Sequence, residues 1–295
     1  MNNLYEFNLK TNYTKLECDG LLLVEYQCVP GDVRSGIWSQ HSYIAFIQSG
    51  LKTWITPEGE FPVTVGDAIF CRKGAHLVKN YYDEKFCALV FFIPDDFIRQ
   101  VVKESELLRQ GGVNSSTVLR LEVDLTLKLY FESMLSFFLQ QHNPSGALLK
   151  LKFKELLLQL ITRNINPELT AYFFSLAKEE KANLKQIMMD NYLYNLNQED
   201  FSKLTHRSLS TFKRDFQDTF GTSLNKWLID MRLKYARMRL LTSDESVSEI
   251  AYTSGFETAS HFIRCFKKHY NLPPQQFRHQ YFLSAEPNGQ LSGPI

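Results

Sequence analysis

Cysteine is scarce in this 295-residue chain: there are five, Cys18, Cys28, Cys71, Cys87 and Cys265, and no two form a C-x-x-C pair. An odd, scattered set of thiols argues against a disulfide framework and against a structural zinc site, and it fits a reducing cytoplasm. Long apolar runs are also missing. No stretch approaches the roughly 18 apolar residues of a membrane span, and the start, Met1-Asn-Asn-Leu-Tyr-Glu-Phe7, has neither the basic n-region nor the apolar h-region of a secretion signal. No phosphate-cradling glycine loop and no nucleophile-elbow spacing occurs. Neither sign of charge is in large surplus, and the formal net charge is +1. That balance hides an asymmetry: residues 183–282 hold fourteen Lys and Arg against ten Asp and Glu, and the rest holds nineteen against twenty-two. A basic excess of this size attracts a polyanion only when it is gathered on one face.

The length favours two domains, each able to bury a core. From Gly20 to about Pro94, short runs rich in Val, Ile, Phe and Tyr are broken at Pro30-Gly31, Ser49-Gly50, Pro57-Glu58-Gly59, Gly66-Asp67 and Lys73-Gly74. Such spacing predicts a β-sandwich or barrel. The short Ser49-Gly50-Leu51 break predicts a hairpin between Tyr43–Gln48 and Lys52–Thr56. After Pro94 the period changes, and Val123–Leu139 and Ala147–Ile161 read as a helical hairpin around Asn143-Pro144-Ser145-Gly146. The second arm is apolar around more of its circumference than one core contact requires, so it either caps the β-domain or seats a partner helix. Asn166-Pro167 ends that arm, and Tyr172–Glu180 reads as a short helix. The expected organisation is a β-domain over 1–120, a helical dimerisation segment and linker over 121–182, a helical domain over 183–282, and a disordered tail over 283–295.

The helical domain contains a faint repeat. Phe212-Lys-Arg214-Asp-Phe216 recurs fifty residues later as Phe262-Ile-Arg264-Cys-Phe266, and the same offset pairs Ser208 with Thr258, Ser210 with Ser260, Phe220 with Tyr270 and Trp227 with Phe277. Phe212, Phe216 and Phe220 stand at four-residue spacing and so mark one core face. The opposite face then carries Ser210, Arg214 and Gln217 with Lys213 on its flank; in the second copy it carries Ser260, Arg264 and Lys267 with His261 alongside. A shorter helix precedes each, Glu199–Leu204 and Val247–Thr253, with Gly255 placed for a left-handed turn. This is a helix-turn-helix layout over about 196–221 and 247–271. The second helix of such a unit fits a DNA major groove, where Arg can make two bonds to guanine and Ser, Gln or Lys can reach base edges or phosphates. Between the copies, Leu224–Thr242 reads as a rigid helical spacer with an apolar stripe of Trp227, Leu228, Met231, Tyr235, Met238 and Leu241. At ~1.5 Å per residue it spans ~27 Å, against the ~34 Å between successive major grooves on one DNA face.

Val247-Ser-Glu-Ile-Ala251, Gly255-Phe256, Phe262-Ile-Arg264-Cys-Phe266-Lys267-Lys268 and Pro273-Pro274-x-x-Phe277-Arg278, with Arg232-x-x-x-Ala236 before them, resemble the C-terminal domain of AraC/XylS-type transcription regulators over about 100 residues. Ser202 stands where that family usually has Ala, His206 where it often has Gly, and Asn271 where Gly221 keeps a glycine. By analogy the DNA-reading residues are Ser210, Lys213 and Arg214, then Ala259, Ser260, His261 and Arg264; Gln217 and Lys267 join them from the helix geometry. Ala259 and Ser260 are short, so the second helix is expected to contribute mainly phosphate contacts. The N-terminal domain resembles the cupin-like sensor domains of the same family, and Ser210-Thr-Phe-Lys-Arg-Asp-Phe216 is similar to its ExsA-like branch. The resemblance implies an α+β chain acting as a cytoplasmic activator. Its partners would be double-stranded DNA, RNA polymerase and an unknown effector, small molecule or protein, and it would form a homodimer through helices in 123–161. No cofactor, no metal and no catalytic residue is expected.

The competing class is a cupin metalloenzyme, or a small-ligand-binding protein whose helical domain only mediates interactions. Gly74, His76 and a His-x-x-x-Asn spacing to Asn80 superficially match a cupin metal motif. A catalytic metal usually needs about three protein ligands, and His41 has no second histidine two residues away. His76 reads as a surface or turn histidine.

Overall fold

A computed structural model describes residues 1–11, 13–27, 34–56, 59–81, 85–107, 116–139, 143–163, 165–178 and 183–285. The Pro30-Gly31 and Pro57-Glu58 breaks, the end of the helix expected over Tyr172–Glu180 and residues 286–295 of the expected tail lie outside the described residues. The chain is α+β and divides into two compact units, Met1–Asn183 and Leu184–Ile295.

The first unit is built on two sheets. One places Val118–Leu121, Ala68–Cys71, Ser42–Ser49, Cys87–Ile93, Leu21–Gln27 and Lys15–Cys18 side by side, all antiparallel. The other orders Asn2–Asn3, Arg34–Ser39, Gly74–Asn80, Lys52–Thr56 and Gly59–Val63, with a single parallel pair at its start. Leu22, Val24, Tyr43, Ala45, Ile47, Val90 and Phe92 of the six-stranded sheet meet Trp54, Val63 and Val78 of the five-stranded one in a shared core. The alternate residues of the six-stranded sheet, Leu21, Leu23, Ile44, Phe46, Phe70, Leu89 and Phe91, face helices instead. Burial on both faces explains why its strands read as unbroken apolar runs rather than as alternation.

The hairpin expected across Ser49-Gly50-Leu51 does not form. Ser42–Ser49 and Lys52–Thr56 belong to different sheets, and Gly50, at φ +76°, carries the chain from one to the other. A Cβ there would lie 2.9 Å from the Lys85 carbonyl oxygen. The close pass of that neighbouring backbone turns the break into a sheet-switching corner.

Helices α1 (Leu4–Lys10), α2 (Asp95–Glu104), α3 (Leu125–Leu139), α4 (Gly146–Thr162) and α5 (Pro167–Lys178) complete this unit. The last begins at Pro167, earlier than Tyr172, because proline is well suited to a first helical turn. Phe131 of α3 stacks on Phe46 with centroids 4.5 Å apart, and Phe153 of α4 packs edge-on to Phe91. The inner faces of α3 and α4 therefore cap the six-stranded sheet. Their outer faces leave Leu125, Leu129 and Leu151 exposed at 71%, 54% and 63%. Lys73 bonds Asp95 at 2.6 Å, both nearly buried, tying a sheet turn to the start of α2.

The described residues of the second unit form only helices: α6 (Leu184–Asn191), α7 (Gln198–Leu204), α8 (Leu209–Phe220), α9 (Leu224–Thr242), α10 (Val247–Thr253), α11 (Ala259–Tyr270) and α12 (Pro274–Ala285). The expected stripe on α9 is corrected. Its buried residues are Leu224, Trp227, Leu228, Leu233, Ala236 and Leu240, while Met238 is 43% exposed. Trp227 packs on Phe216 and Phe220. Leu233, Ala236 and Leu240 pack with Phe256, Phe262 and Phe266. One helix thus serves two cores from nearly opposite sides, since nine residues from Trp227 to Ala236 turn the helix by about 180°. Met238 lies on Trp227's side, but three turns beyond the first core.

Candidate nucleic-acid interface

The two copies form by the same local rules. Capping boxes start α7 at Asn197 with Asp200 and α10 at Ser246 with Glu249. Ser208 and Thr258 cap α8 and α11 through side-chain oxygens that accept the Thr211 and His261 backbone N–H groups, each at 3.2 Å. Both helices end on a left-handed residue, Gly221 at φ +67° and Asn271 at φ +64°. His206 also takes positive φ, at +52°, so Asn and His fill the family's glycine positions in the conformation they tolerate best after glycine. Ser202 packs where Ala is usual by donating its hydroxyl to the Glu199 carbonyl at 2.8 Å.

Phe212 and Phe216 are buried on α8, as are Phe262 and Phe266 on α11. Facing away from them, Ser210, Lys213, Arg214 and Gln217 are exposed together on α8, and Ser260, Arg264 and Lys267 on α11. Ala259 and His261 are only half-exposed: Ala259 packs against the second core, and the His261 ring stands edge-on to Phe256 at 5.7 Å. The structure thus gathers seven of the nine expected residues on two open faces and turns these two partly inward. Ile263, at the position matching Lys213, is 39% exposed on the same side of α11; the polar-donor criterion passed over it because it has no donor.

Charge differs between the faces. Arg214 leans on Asp215 at 3.5 Å. Asp215 in turn accepts from Arg207 at 3.0 Å, and that bond holds its carboxyl below the usual range. On α11, Arg264 is joined by Lys267, Lys268 and His269 in the last turn, where cations complement the helix dipole.

The two copies are also joined. Arg232 of α9 donates to the Tyr192 and Tyr194 carbonyls, both at 2.8 Å, in the lead-in to α7. Asn195 in the same lead-in donates to Glu257, in the turn before α11, at 2.7 Å. Gly255, at φ +84°, sits against this lead-in: a Cβ there would collide with the Leu193 carbonyl oxygen and lie 2.9 Å from Arg232 Nε. Burial lowers the Arg232 pKa and the neighbouring Glu257 opposes that shift. Sequence reading located Gly255 by its turn position, but its neighbours Arg232 and Leu193 stand about twenty and sixty residues away and leave no local trace. Arg278 repeats the arrangement on the second copy, donating to the Leu240 and Glu245 carbonyls at 3.1 and 2.7 Å.

Among the described residues, no three His, Cys, Asp or Glu side chains come together to hold a metal ion. His76 is corrected from a surface residue to a core one: it is buried, its Nε2 lies 2.9 Å from the Arg72 carbonyl oxygen, and burial pushes its pKa down to about 4. The ring is neutral at pH 7. Its contribution to stability is complete above about pH 6.5, the unfolded value, and is lost as the pH falls toward 4. Among the described residues no helix is long and apolar enough to cross a membrane.

Residues 42–172 match the ExsA N-terminal regulatory domain, and residues 201–280 match a helix-turn-helix domain. The chain is similar to thermoregulatory protein LcrF of Yersinia pestis, with 24% identity over 233 residues, 78% of this chain and 86% of that protein. It is similar to HTH-type transcriptional regulator ExsA of Pseudomonas aeruginosa, with 30% identity over 138 residues, 47% of this chain and 49% of that one. The crystal structure of apo ToxT from Vibrio cholerae covers 90% of this chain and 98% of its own at 15% identity, with a TM-score of 0.45. A regulatory domain and a helix-turn-helix domain are thus matched along the chain in the order expected of an AraC/XylS-type transcription regulator.

Proposed function

We propose that this protein is a sequence-specific activator of transcription whose α8 and α11 enter adjacent major grooves on one face of double-stranded DNA. The observation that carries this reading is the pair of matched open faces, Ser210, Lys213, Arg214 and Gln217 with Ser260, Arg264 and Lys267, fixed to the two ends of the 19-residue α9. At ~1.5 Å per residue α9 spans ~28 Å, and the two readers project beyond its ends toward a ~34 Å groove repeat. Arg214 and Arg264 read base edges; Lys267 contacts phosphate. Ala259 and His261 support α11 and touch DNA only at its N-terminal edge.

The Met1–Asn183 unit acts as the regulatory part in a cytoplasmic, non-enzymatic protein. Its effector is a small molecule or a protein, and RNA polymerase is the recipient of the activating signal. The exposed leucines of α3 and α4 support a homodimer through the outer face of that helical pair, within 123–161. Binding of the effector to one dimer or domain arrangement would shift DNA affinity by about 1–3 kcal/mol.

The test is selection of genomic DNA by the purified chain, followed by titration of the enriched duplex and a scrambled control at two salt concentrations. Two contact blocks about one helical turn apart, bound ~10³-fold above control, are expected. Binding with no sequence preference would refute the reading. A chain truncated to residues 183–295 is expected to keep DNA binding and lose self-association; a truncated dimer would refute the helical-pair interface.

A further inference from the structure

The open face of α11 includes one side chain with no hydrogen-bonding capacity. Ile263 is 39% exposed, and the matching position on α8 is Lys213. At ~100° per residue, Ile263 lies about 60° from Ser260 and about 40° from Lys267 around the helix. On its other side it lies about 20° from Tyr270 and about 60° from the buried Phe266, so it stands exposed at the edge where the reading face meets the core. Ala259, one turn earlier and half-exposed, continues it into an apolar edge. Both bounding helix ends are fixed, by Thr258 at the cap and by Asn271 in the left-handed conformation, so the edge keeps its orientation.

An apolar side chain in a major groove can distinguish bases in only one way. The groove edges of guanine, cytosine and adenine carry donors and acceptors, whereas thymine alone adds an apolar group, its C5-methyl. Next to Arg264, whose guanidinium suits guanine, a β-branched side chain cannot replace a hydrogen bond and leaves buried donors of other bases unpaired. We infer that Ile263, with Ala259 beside it, reads the C5-methyl of a thymine in the block contacted by the second unit. The two copies then differ in kind: the first reads through donors, and the second adds a methyl contact. This inference rests on the paired-reader proposal and sharpens it.

The test uses the full chain and the enriched duplex. The block belonging to the second unit is identified as the one whose preference relaxes in Arg264→Ala. Thymines in each block are replaced singly by uracil, which removes the methyl and nothing else. For the natural chain, one uracil in the second block is expected to weaken binding about four-fold, the effect of losing one buried methyl. Ile263→Ala is expected to bind thymine and uracil there equally, and Ile263→Val to keep part of the discrimination. No uracil effect in that block, or the same effect in Ile263→Ala, would overturn the inference while leaving the paired readers standing. Failure to enrich any two-block duplex would overturn the underlying reading and the inference together.

Discussion

The two helix-turn-helix copies share a skeleton and differ in surface. Capped reader helices, left-handed exits and buried phenylalanine pairs recur at a fifty-residue offset, and the capping boxes before them at forty-nine. On α8 the two cations share the helix with Asp215 and Asp218, whereas α11 carries Arg264, Lys267 and Lys268 with no acid among its twelve residues. Repetition fixed the parts that hold a helix against its neighbours and left free the parts that meet the outside. The divergent positions, Lys213 with Ile263 and Gln217 with Lys267, are therefore where the copies acquire separate roles.

The likeness of the cores is most sharply tested by deletion of the central ring. Phe216→Ala and Phe266→Ala are each expected to destabilise the second unit by about 3–5 kcal/mol, followed as its transition in calorimetry; a gap above about 1 kcal/mol between them would mean the cores are not equivalent. The glycines should break the symmetry. Gly255→Ala, which combines a positive φ with a blocked Cβ, is expected to cost about 2–5 kcal/mol. Gly221→Ala, with nothing within 4 Å, should cost about 1 kcal/mol in the same assay.

Surface roles follow at smaller scale. Arg214→Ala is expected to lose about 1–3 kcal/mol on the enriched duplex and to relax preference in one block, while Lys267→Ala weakens every duplex and reduces the salt slope by about one. Competition titrations at several salt concentrations separate the two, and uniform losses for both would contradict the assignment. The caps should restore the symmetry: Ser208→Ala and Thr258→Ala are each expected to cost about 1 kcal/mol, read from urea midpoints.

What was legible in the sequence was whatever repeats at short range. The four-residue spacing of Phe212, Phe216 and Phe220 determined a buried face and, with it, the exposed one, and the structure places both accordingly. Longer-range features were not legible. Met238 looked like core because it shares a helical side with Trp227, but the core that side serves ends before it. Ser49-Gly50-Leu51 looked like a hairpin turn because adjacent runs were β-rich, and only the passing Lys85 backbone shows it to be a corner between sheets. His76 looked like a turn residue because Gly74 precedes it; the strand pairing that buries it runs to residues forty positions earlier.

The Leu193 carbonyl occupies the space where a side chain at Gly255 would begin, so the turn of the later copy packs directly against the lead-in of the earlier one. In a two-groove complex, the gauge between the readers would then belong to the protein and not to the duplex. A promoter could trade affinity gradually by changing bases within a block. An inserted base pair between blocks would instead oblige the duplex to twist or bend before both helices could seat, an abrupt penalty that would keep promoter spacing constant while promoter letters drift.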